Sequence, residues 1–379
     1  MKKVLLCIWV ISACFKTYGQ GNVESQGKEI QIPMQPDHWE YQPDQVEFIT
    51  HRSVPAVRGL NGGSQIFLKD FVFEEGTIEF DVELNENGFI GINFRMAEDR
   101  LNAENFYIRS FWPISPLRRT TLQYATVIDG VSMWDLTDDY QAAASVHQDA
   151  WNHVKLVVSG KQMLVFVNDL DEPSLYVPIL EGSLTSGGIS FGGNAIFSNL
   201  TIRPEVTDGL PAAPGYDPTK NDSRYLRNWS VTQPVDFPLG RDIIQQDIPD
   251  SVTQWTSIQA GHRALVNLSR SFGSTDFVKR RLVWLKTTIQ SEINQERKIS
   301  LGFSDEVWVF INGQLLLVDK NYFGTPGMKE PRGRCTIENT SFTLPLQEGD
   351  NELLIGVANN FYGWGIIARL DRTDGLNFK

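Results

Sequence analysis

Residues 77–84 read Thr-Ile-Glu-Phe-Asp-Val-Glu-Leu, an alternation of apolar and polar side chains with acids at every second position from Glu79. A period of two puts successive side chains on opposite faces of an extended strand, so this segment has one face for a core and one for water. The pattern recurs on the C-terminal side. Gly91-Ile92-Asn93-Phe94-Arg95 and Asn105-Phe106-Tyr107-Ile108-Arg109 alternate, as do stretches within 152–159, 163–168, 189–191 and 195–202. Turn formers separate them: Asn87-Gly88, Asp129-Gly130, Ser159-Gly160 and Gly187-Gly188. Many short strands at this spacing, with scarcely any helical periodicity, predict an antiparallel β-sandwich.

The C-terminal half repeats the style with a different sequence. Strands are expected over 281–288, 298–303, 306–311, 336–344, 351–357 and 364–370. Asn312-Gly313 is a hairpin turn between Val307–Ile311 and Gln314–Val318, because both residues tolerate the positive φ that a tight hairpin requires. The halves do not align with each other, so the expected fold class is all-β, with two different antiparallel β-sandwich domains. Between them, residues 203–222 hold four prolines, which break any period and mark a linker. The expected division is a signal peptide over 1–19, an extension over 20–37, a first sandwich over 38–204, a linker over 205–222 and a second sandwich over 223–379.

Among 379 residues, 41% are hydrophobic and the formal net charge is −12. Such a chain is long enough for more than one core. An acidic chain without a basic run is a poor partner for nucleic acid or anionic lipid. The N-terminus carries Lys2-Lys3, an apolar run over Val4–Ala13, and small residues at Thr17 and Gly19. That is the pattern of an export signal cleaved after Gly19. A rival reading takes Ile11-Ser12-Ala13-Cys14 as a lipoprotein box with the lipid on Cys14. Either way the chain is expected to be exported, to the periplasm, the cell surface or beyond. The apolar run is shorter than the roughly 20 residues a transmembrane helix needs, and no later stretch is long and apolar enough. Beyond residue 19 only Cys335 remains, so no intrachain disulfide forms there, and its expected state is a semi-buried thiol.

On these strands the sequence resembles known families. Residues 38–204 are similar to concanavalin A-like, or laminin G-like, jelly rolls. The carriers are Glu75–Val82, Ile92–Arg95, Phe106–Arg109, Trp151–Leu156, Val165–Asn168 and Phe197–Ile202, in that order. The Gly-Trp opening and closing His-Gly of the 3-keto-disaccharide hydrolases on that fold are missing. Residues 223–373 resemble the galactose-binding-like jelly roll, through Tyr225–Val231, Ile299–Gly313, Leu344–Leu354 and Gly363-Trp364-Gly365. Together the resemblances imply an exported, non-catalytic carbohydrate-binding or adhesion protein, with a polysaccharide as partner and other surface proteins as further partners. One alternative is a structural role in a cell-surface complex.

The other alternative is a secreted glycoside hydrolase. Glu79-Phe80-Asp81-Val82-Glu83 resembles the Glu-x-Asp-x-Glu strand of laminarinase-type enzymes, in which the first Glu is the nucleophile and the last the acid/base. Retaining hydrolysis needs carboxyls about 5–5.5 Å apart, whereas Cα atoms four residues apart on a strand lie roughly 13 Å apart. The same alternation also arises on any half-exposed strand of an acidic protein. For ligand binding, Asn93, Arg95, Tyr107 and Arg109 share a face if Ile92, Phe94, Phe106 and Ile108 fill the core. With Trp112 and Trp134 nearby they suit a polyol or an acidic sugar: rings cover C–H-rich faces and guanidinium groups donate paired hydrogen bonds. The competing role for Arg95 and Arg109 is a charge ladder with Glu79 or Asp81. In the second half Tyr322, Phe323, Phe361, Tyr362 and Trp364 lie in Gly-rich loops and form a second candidate patch. Trp151 and His153 flank a strand start and read as structural. The five histidines lack the spacing of a zinc site, and no cofactor is implied. Asp138-Asp139 and Asn168-Asp169-Leu170-Asp171 offer oxygen ligands for a structural calcium.

Overall fold

The alternating segment is realised as strand Gly76–Glu83, which pairs with Trp151–Ser159 on one side and Ile196–Pro204 on the other. The computed structural model describes residues 28–84, 86–274 and 279–379; the expected signal segment, with Cys7, Cys14 and the cleavage after Gly19, lies outside them. Ile78, Phe80 and Val82 are buried, and Glu79, Asp81 and Glu83 point the other way. The antiparallel sheet continues through Gln162–Val167 and Leu175–Val177 at one edge and Val54–Gly59 and Val46–His51 at the other.

A second antiparallel sheet faces it, with Leu122–Ile128, Ala103–Arg109, Phe89–Met96, Gly188–Gly192, Gln65–Leu68 and Trp39–Tyr41 as successive neighbours. Its inward residues include Ile92, Phe94, Phe106 and Ile108, as the alternation requires. Phe191 of this sheet stacks on Phe197 of the other with ring centroids 4.5 Å apart. Each large apolar side chain so buried contributes about 1.5–3 kcal/mol relative to exposure. Asp129 and Gly130 both have positive φ, 51° and 77°, and so do Asn312 and Gly313, 49° and 76°. Both are turns at which a tight hairpin demands it.

The register shifts in three strand pairs among the described residues, and one of the shifts moves a residue proposed from sequence. Opposite Gly188–Gly192, Gly188 pairs with Met96 while Ser190 pairs with Asn93, so strand Phe89–Met96 holds one extra residue. Such a bulge turns the following side chain to the other face. Arg95 sits there with φ of 48° and is buried between the sheets. Its guanidinium donates to the carbonyls of Glu74 and Gly160, at 2.8 Å each.

A second pair of sheets forms from residues 228–378. Thr256–Gln259, Asn228–Val231, Arg281–Ser291, Gly349–Asn359, Glu306–Ile311 and Gln314–Lys320 make one. Val266–Asn267, Gly365–Leu370, Gln295–Ser304 and Thr340–Leu346 make the other. They enclose their own core, with Val283, Leu285, Ile299, Leu301, Val309 and Ile355 among its members. Trp364 is in this core, its indole N–H donating to the Gly273 carbonyl. Residues 205–222 carry no strand and are pinned down: the carbonyls of Pro211 and Ala213 accept from the Gln162 amide, and Thr219 accepts from Arg227. No helix among the described residues is long and apolar enough to cross a membrane.

The two sandwiches meet over Met133, Leu136, Leu265, Cys335 and Ile367. Burial pushes the Cys335 thiol up, so it stays protonated. Beside this cluster two buried carboxyls share Ser304: its Oγ lies 3.2 Å from Asp135 Oδ2 and 3.1 Å from Asp305 Oδ1. Asp135 Oδ1 accepts from the Gly363 N–H, and Asp305 Oδ2 accepts from the N–H groups of Asn360 and Phe361. Arg263 adds bonds to Asp139, Glu181 and the Leu136 carbonyl.

Burial raises both carboxyls, Asp135 well above the usual range with Asp305 as the second cause, and Asp305 to about 7. A carboxyl raised in the folded state contributes stability that is fully present below about pH 4 and is lost as the pH rises through its folded value. Asp135→Asn keeps an acceptor for Gly363 and offers a donor to Ser304, and it removes the proton uptake that burying Asp135 requires when folding occurs above about pH 4. Relative to the parent chain, it is expected to gain on the order of 1–3 kcal/mol at pH 8 and little or nothing at pH 4. Thermal unfolding at the two pH values measures this, and an equal loss at both would refute the shared-proton account.

Candidate functional site

The outer face of the second-described sheet is open to a cleft of about 860 Å³. That volume lies toward the upper end of the ~300–1,000 Å³ usual for small-molecule sites. Its floor follows the strand register. Gly192, Gly91, Tyr107 and Gln123 stand side by side on adjacent strands, and so do Ser190, Asn93 and Asn105. A Cβ on Gly91 would lie 2.1 Å from the Phe106 carbonyl oxygen and 2.7 Å from Tyr107 Cβ, so the absent side chain is what lets Tyr107 pack across the strand pair. The next row is a polar chain: Asn105 donates to Asn93 Oδ1 at 2.8 Å and Asn93 donates to Ser190 Oγ at 3.0 Å.

At the far end of the floor lies Arg109. Its guanidinium donates to the Thr120 carbonyl at 2.8 Å, to Tyr107 Oη at 3.0 Å and to the side-chain oxygens of Gln123 and Gln141. All four partners are neutral. Burial pulls the guanidinium down from its ordinary value, Tyr107 works against that, and Arg118 adds to it. Burial also pushes the Tyr107 phenol up, so it stays a neutral donor and acceptor.

The walls are aromatic. Phe89, at the start of a floor strand, and Phe111, in the loop after the neighbouring strand, have centroids 5.2 Å apart. Across the cleft, Trp134 makes edge contacts with Phe323 at 5.1 Å, Tyr362 at 5.9 Å and Phe361 at 6.1 Å. Trp134 belongs to the first sandwich and its three partners to the second, so the site exists because the two are docked. Arg334 stacks over Trp134 at 4.8 Å. Burial and then the neighbouring Arg109 push it down to about 10.

The residues proposed from sequence divide as follows. Asn93, Tyr107, Arg109, Trp134 and Tyr362 all line the cleft. Arg95 does not, because the bulge turns it inward. Trp112 packs against the first core. Tyr322 lies against Glu306, and Trp364 is fully buried. Arg109 makes no ladder with Glu79 or Asp81, which belong to the opposite sheet. Sequence reasoning missed Asn105, Phe89, Phe111, Arg118, Arg332 and Arg334. Asn105 shares the phase of Tyr107 and Arg109 and was readable from the alternation; the four loop residues and Phe89 at its strand end had no periodic signal.

The acidic strand is elsewhere and is occupied. Glu79 is held by His153 at 3.3 Å and by Arg203, and Asp81 by His153 at 2.8 Å and Asn199 at 2.7 Å. Glu83 takes His51 at 3.0 Å and Arg52 at 2.5 Å. The His153 hydrogen bond holds Glu79 below its ordinary range. For Asp81 and Glu83 burial pushes up, but the hydrogen bonds from His153 and Asn199, and from Arg52 and His51, outweigh it. All three are therefore ionised at neutral pH, and no member of the strand is poised as a general acid. The oxygen clusters considered for calcium are also engaged. Asp138 accepts from Arg119 and Gln141, Asp139 from Arg263, and Asp169 from the Asp171 N–H. Among the described residues no group of three or more His, Cys, Asp or Glu side chains gathers as a metal site.

No family model and no curated protein matches the chain. Among solved structures it is similar to a carbohydrate-binding module from Bacillus subtilis (13% identity, 44% of this chain and 95% of that one, TM-score 0.33). It is also similar to a putative glycosyl hydrolase from Parabacteroides distasonis (14%, 44% and 94%, 0.32) and a β-glucanase from Bacillus licheniformis (10%, 47% and 99%, 0.34).

The His153 contacts give a direct check. Hydrogen bonds that it donates to Asp81 and then Glu79 raise its imidazole to about 9. A raised histidine contributes stability that is fully present below about pH 6.5 and lost as the pH climbs through 9. In an NMR titration His153 is expected near 9, and in Glu79→Gln it moves down toward 6.5. Because this face is partly solvated, the substitution costs only about 0.5–1 kcal/mol at pH 6. An unmoved His153 in Glu79→Gln would show that the acidic strand is not held this way.

Proposed function

We propose that this protein is an exported, non-catalytic carbohydrate-binding protein and that the inter-sandwich cleft is where it holds its glycan. The observation that carries the reading is the composition of the cleft. Aromatic rings from both sandwiches stand over a floor of amides, a phenol and guanidinium groups, and among the described residues no Asp, Glu or His lines it. Flat rings cover the C–H faces of a pyranose, and amide and guanidinium donors suit its hydroxyls. Hydrolysis of a glycosidic bond by the usual route needs two carboxyls flanking it, one kept protonated. The cleft offers neither, and Glu79, Asp81 and Glu83 are on the opposite sheet with their charges matched by Arg and His. Export rests on the Lys2-Lys3 and Val4–Ala13 pattern alone.

A glycan array followed by reducing-end release on the retained polysaccharides tests the reading. Retention without release is expected, and Trp134→Ala is expected to weaken it about 10-fold, equivalent to ~1.4 kcal/mol. Release that is abolished by Glu79→Gln or Glu83→Gln would replace binding by hydrolysis. Absence of any retained glycan would leave the structural role in a surface complex.

A further inference from the structure

We propose that the glycan is acidic, with a carboxylate or sulfate seated on the arginine cluster formed by Arg109, Arg118, Arg332 and Arg334. The proposal rests on the glycan-binding reading of this cleft and adds the chemical class of its ligand.

The chain as a whole carries a net charge of −12, yet among the described residues the cleft is lined by five arginines and no acid. At the amide-rich end, Arg100 is matched by Glu40 at 2.6 Å. The other four gather at the opposite end. Thr120 ties two of them together, its carbonyl accepting from Arg109 and its hydroxyl from Arg118. Gln123 accepts from Arg109 and donates to the Trp134 carbonyl at 2.8 Å, and Arg334 lies over the Trp134 ring. Arg334 has one carboxylate within reach, Asp138 at 3.5 Å, and shares it with Arg119. Arg109, Arg118 and Arg332 form no ion pair among the described residues.

Folding therefore brings like charges together and leaves them unneutralised. Arg109 is only 7% exposed. A buried charge without a counter-ion is costly, and here neutral acceptors hold it facing the cleft. Arg118 and Arg332 both depress its proton affinity, as repelling neighbours do. An anion at this point would relieve the repulsion, and a planar guanidinium matches a carboxylate or sulfate with two parallel bonds. Along the floor strand, Arg109 is four residues from Asn105, roughly 13 Å at an extended rise. The cleft thus has an anion-selective end and a neutral, amide-lined end. That suits a saccharide with one acidic ring at the arginines and further hydroxylated rings running toward Asn93 and Asn105.

The test is calorimetry and array binding of the full chain on matched pairs: polygalacturonate against its methyl ester, and a sulfated galactan against the same galactan after desulfation. The acidic member of at least one pair is expected to bind 100-fold or more tightly than its neutral mate. Its affinity should fall steeply between 50 and 500 mM salt, and the pair that responds tells carboxylate from sulfate. Arg109→Gln is expected to abolish the preference. Because Arg109 is buried and its loss could disturb the floor, the exposed Arg332→Gln is the second variant, expected to reduce the preference 3- to 10-fold with thermal stability unchanged. Equal binding of acidic and neutral mates, or array hits confined to neutral glycans, would overturn the acidic ligand and leave glycan binding standing. No retained glycan of either kind would overturn both.

Discussion

The cleft depends on a contact that lies outside it, the buried meeting of Asp135, Ser304 and Asp305. Asp135 is next to Trp134 in the chain. Through the N–H groups of Asn360, Phe361 and Gly363, the two carboxyls hold the loop that carries Phe361 and Tyr362. One wall of the cleft, built from Trp134 of one sandwich and Phe361 and Tyr362 of the other, is thus positioned by groups a few bonds away from it. The Asp305 carboxylate meets two N–H donors, which favours it as the charged member, and Asp135 as the one that keeps the proton. Apolar packing of Met133, Leu136, Leu265 and Ile367 supplies area, but area alone allows sliding. Directional bonds from buried polar groups fix one register, since any displacement leaves them unpaired at a cost of about 1–3 kcal/mol each.

How far the sequence carried the reading follows from this. A period of two is local, so the faces of Gly76–Glu83 and Ala103–Arg109 were legible from residue order alone. The Asn312-Gly313 turn was legible for the same reason: its constraint sits in the two residues themselves. Arg95 was misplaced because the bulge depends on the register with Gly188–Gly192, which is a property of a pair of strands. Trp364 and Tyr362 show the limit more sharply. They are two positions apart in one Gly-rich stretch and looked alike, yet one is sealed in the second core and the other lines the cleft. Nothing in the stretch itself distinguishes them, because the distinction is made by Ser269, Gly273 and Asp135, which are 91 or more residues away in the chain. Arg118, Arg332 and Arg334 were invisible for a related reason: Arg118 is an ordinary loop arginine until its loop folds over Thr120, and Arg332 and Arg334 are so until docking brings them beside Arg109.

The charge distribution has the same two-level character. An overall charge of −12 works against approach of an anion at long range, but salt at physiological strength screens fields beyond about 8 Å. Inside a partly enclosed cleft the local charges dominate, and the low-dielectric walls focus them. The acids that make the chain negative are in large part neutralised where they stand. Glu79, Asp81 and Glu83 are matched by His153, Arg203, His51 and Arg52 across the outer face of the other sheet. Arg109, Arg118 and Arg332 of the cleft, by contrast, form no ion pair among the described residues.

That imbalance also separates binding from chemistry. A general acid for a sugar bond needs a carboxyl that is both proton-retaining and within reach of the ligand. Among the described residues burial raises three carboxyls, those of Glu104, Asp135 and Asp305. Each is buried and committed to other partners: Glu104 to the Tyr124 hydroxyl and the Gly182 N–H, the aspartates to the meeting of the sandwiches. None lines the cleft. Glu79, Asp81 and Glu83 are held ionised by their Arg, His and Asn partners, and the raised carboxyls are used to hold the structure together. On the reading proposed above, protonated acids buried away from the cleft and unpaired guanidinium groups within it fit the holding of an anion better than acid-assisted cleavage of a glycosidic bond.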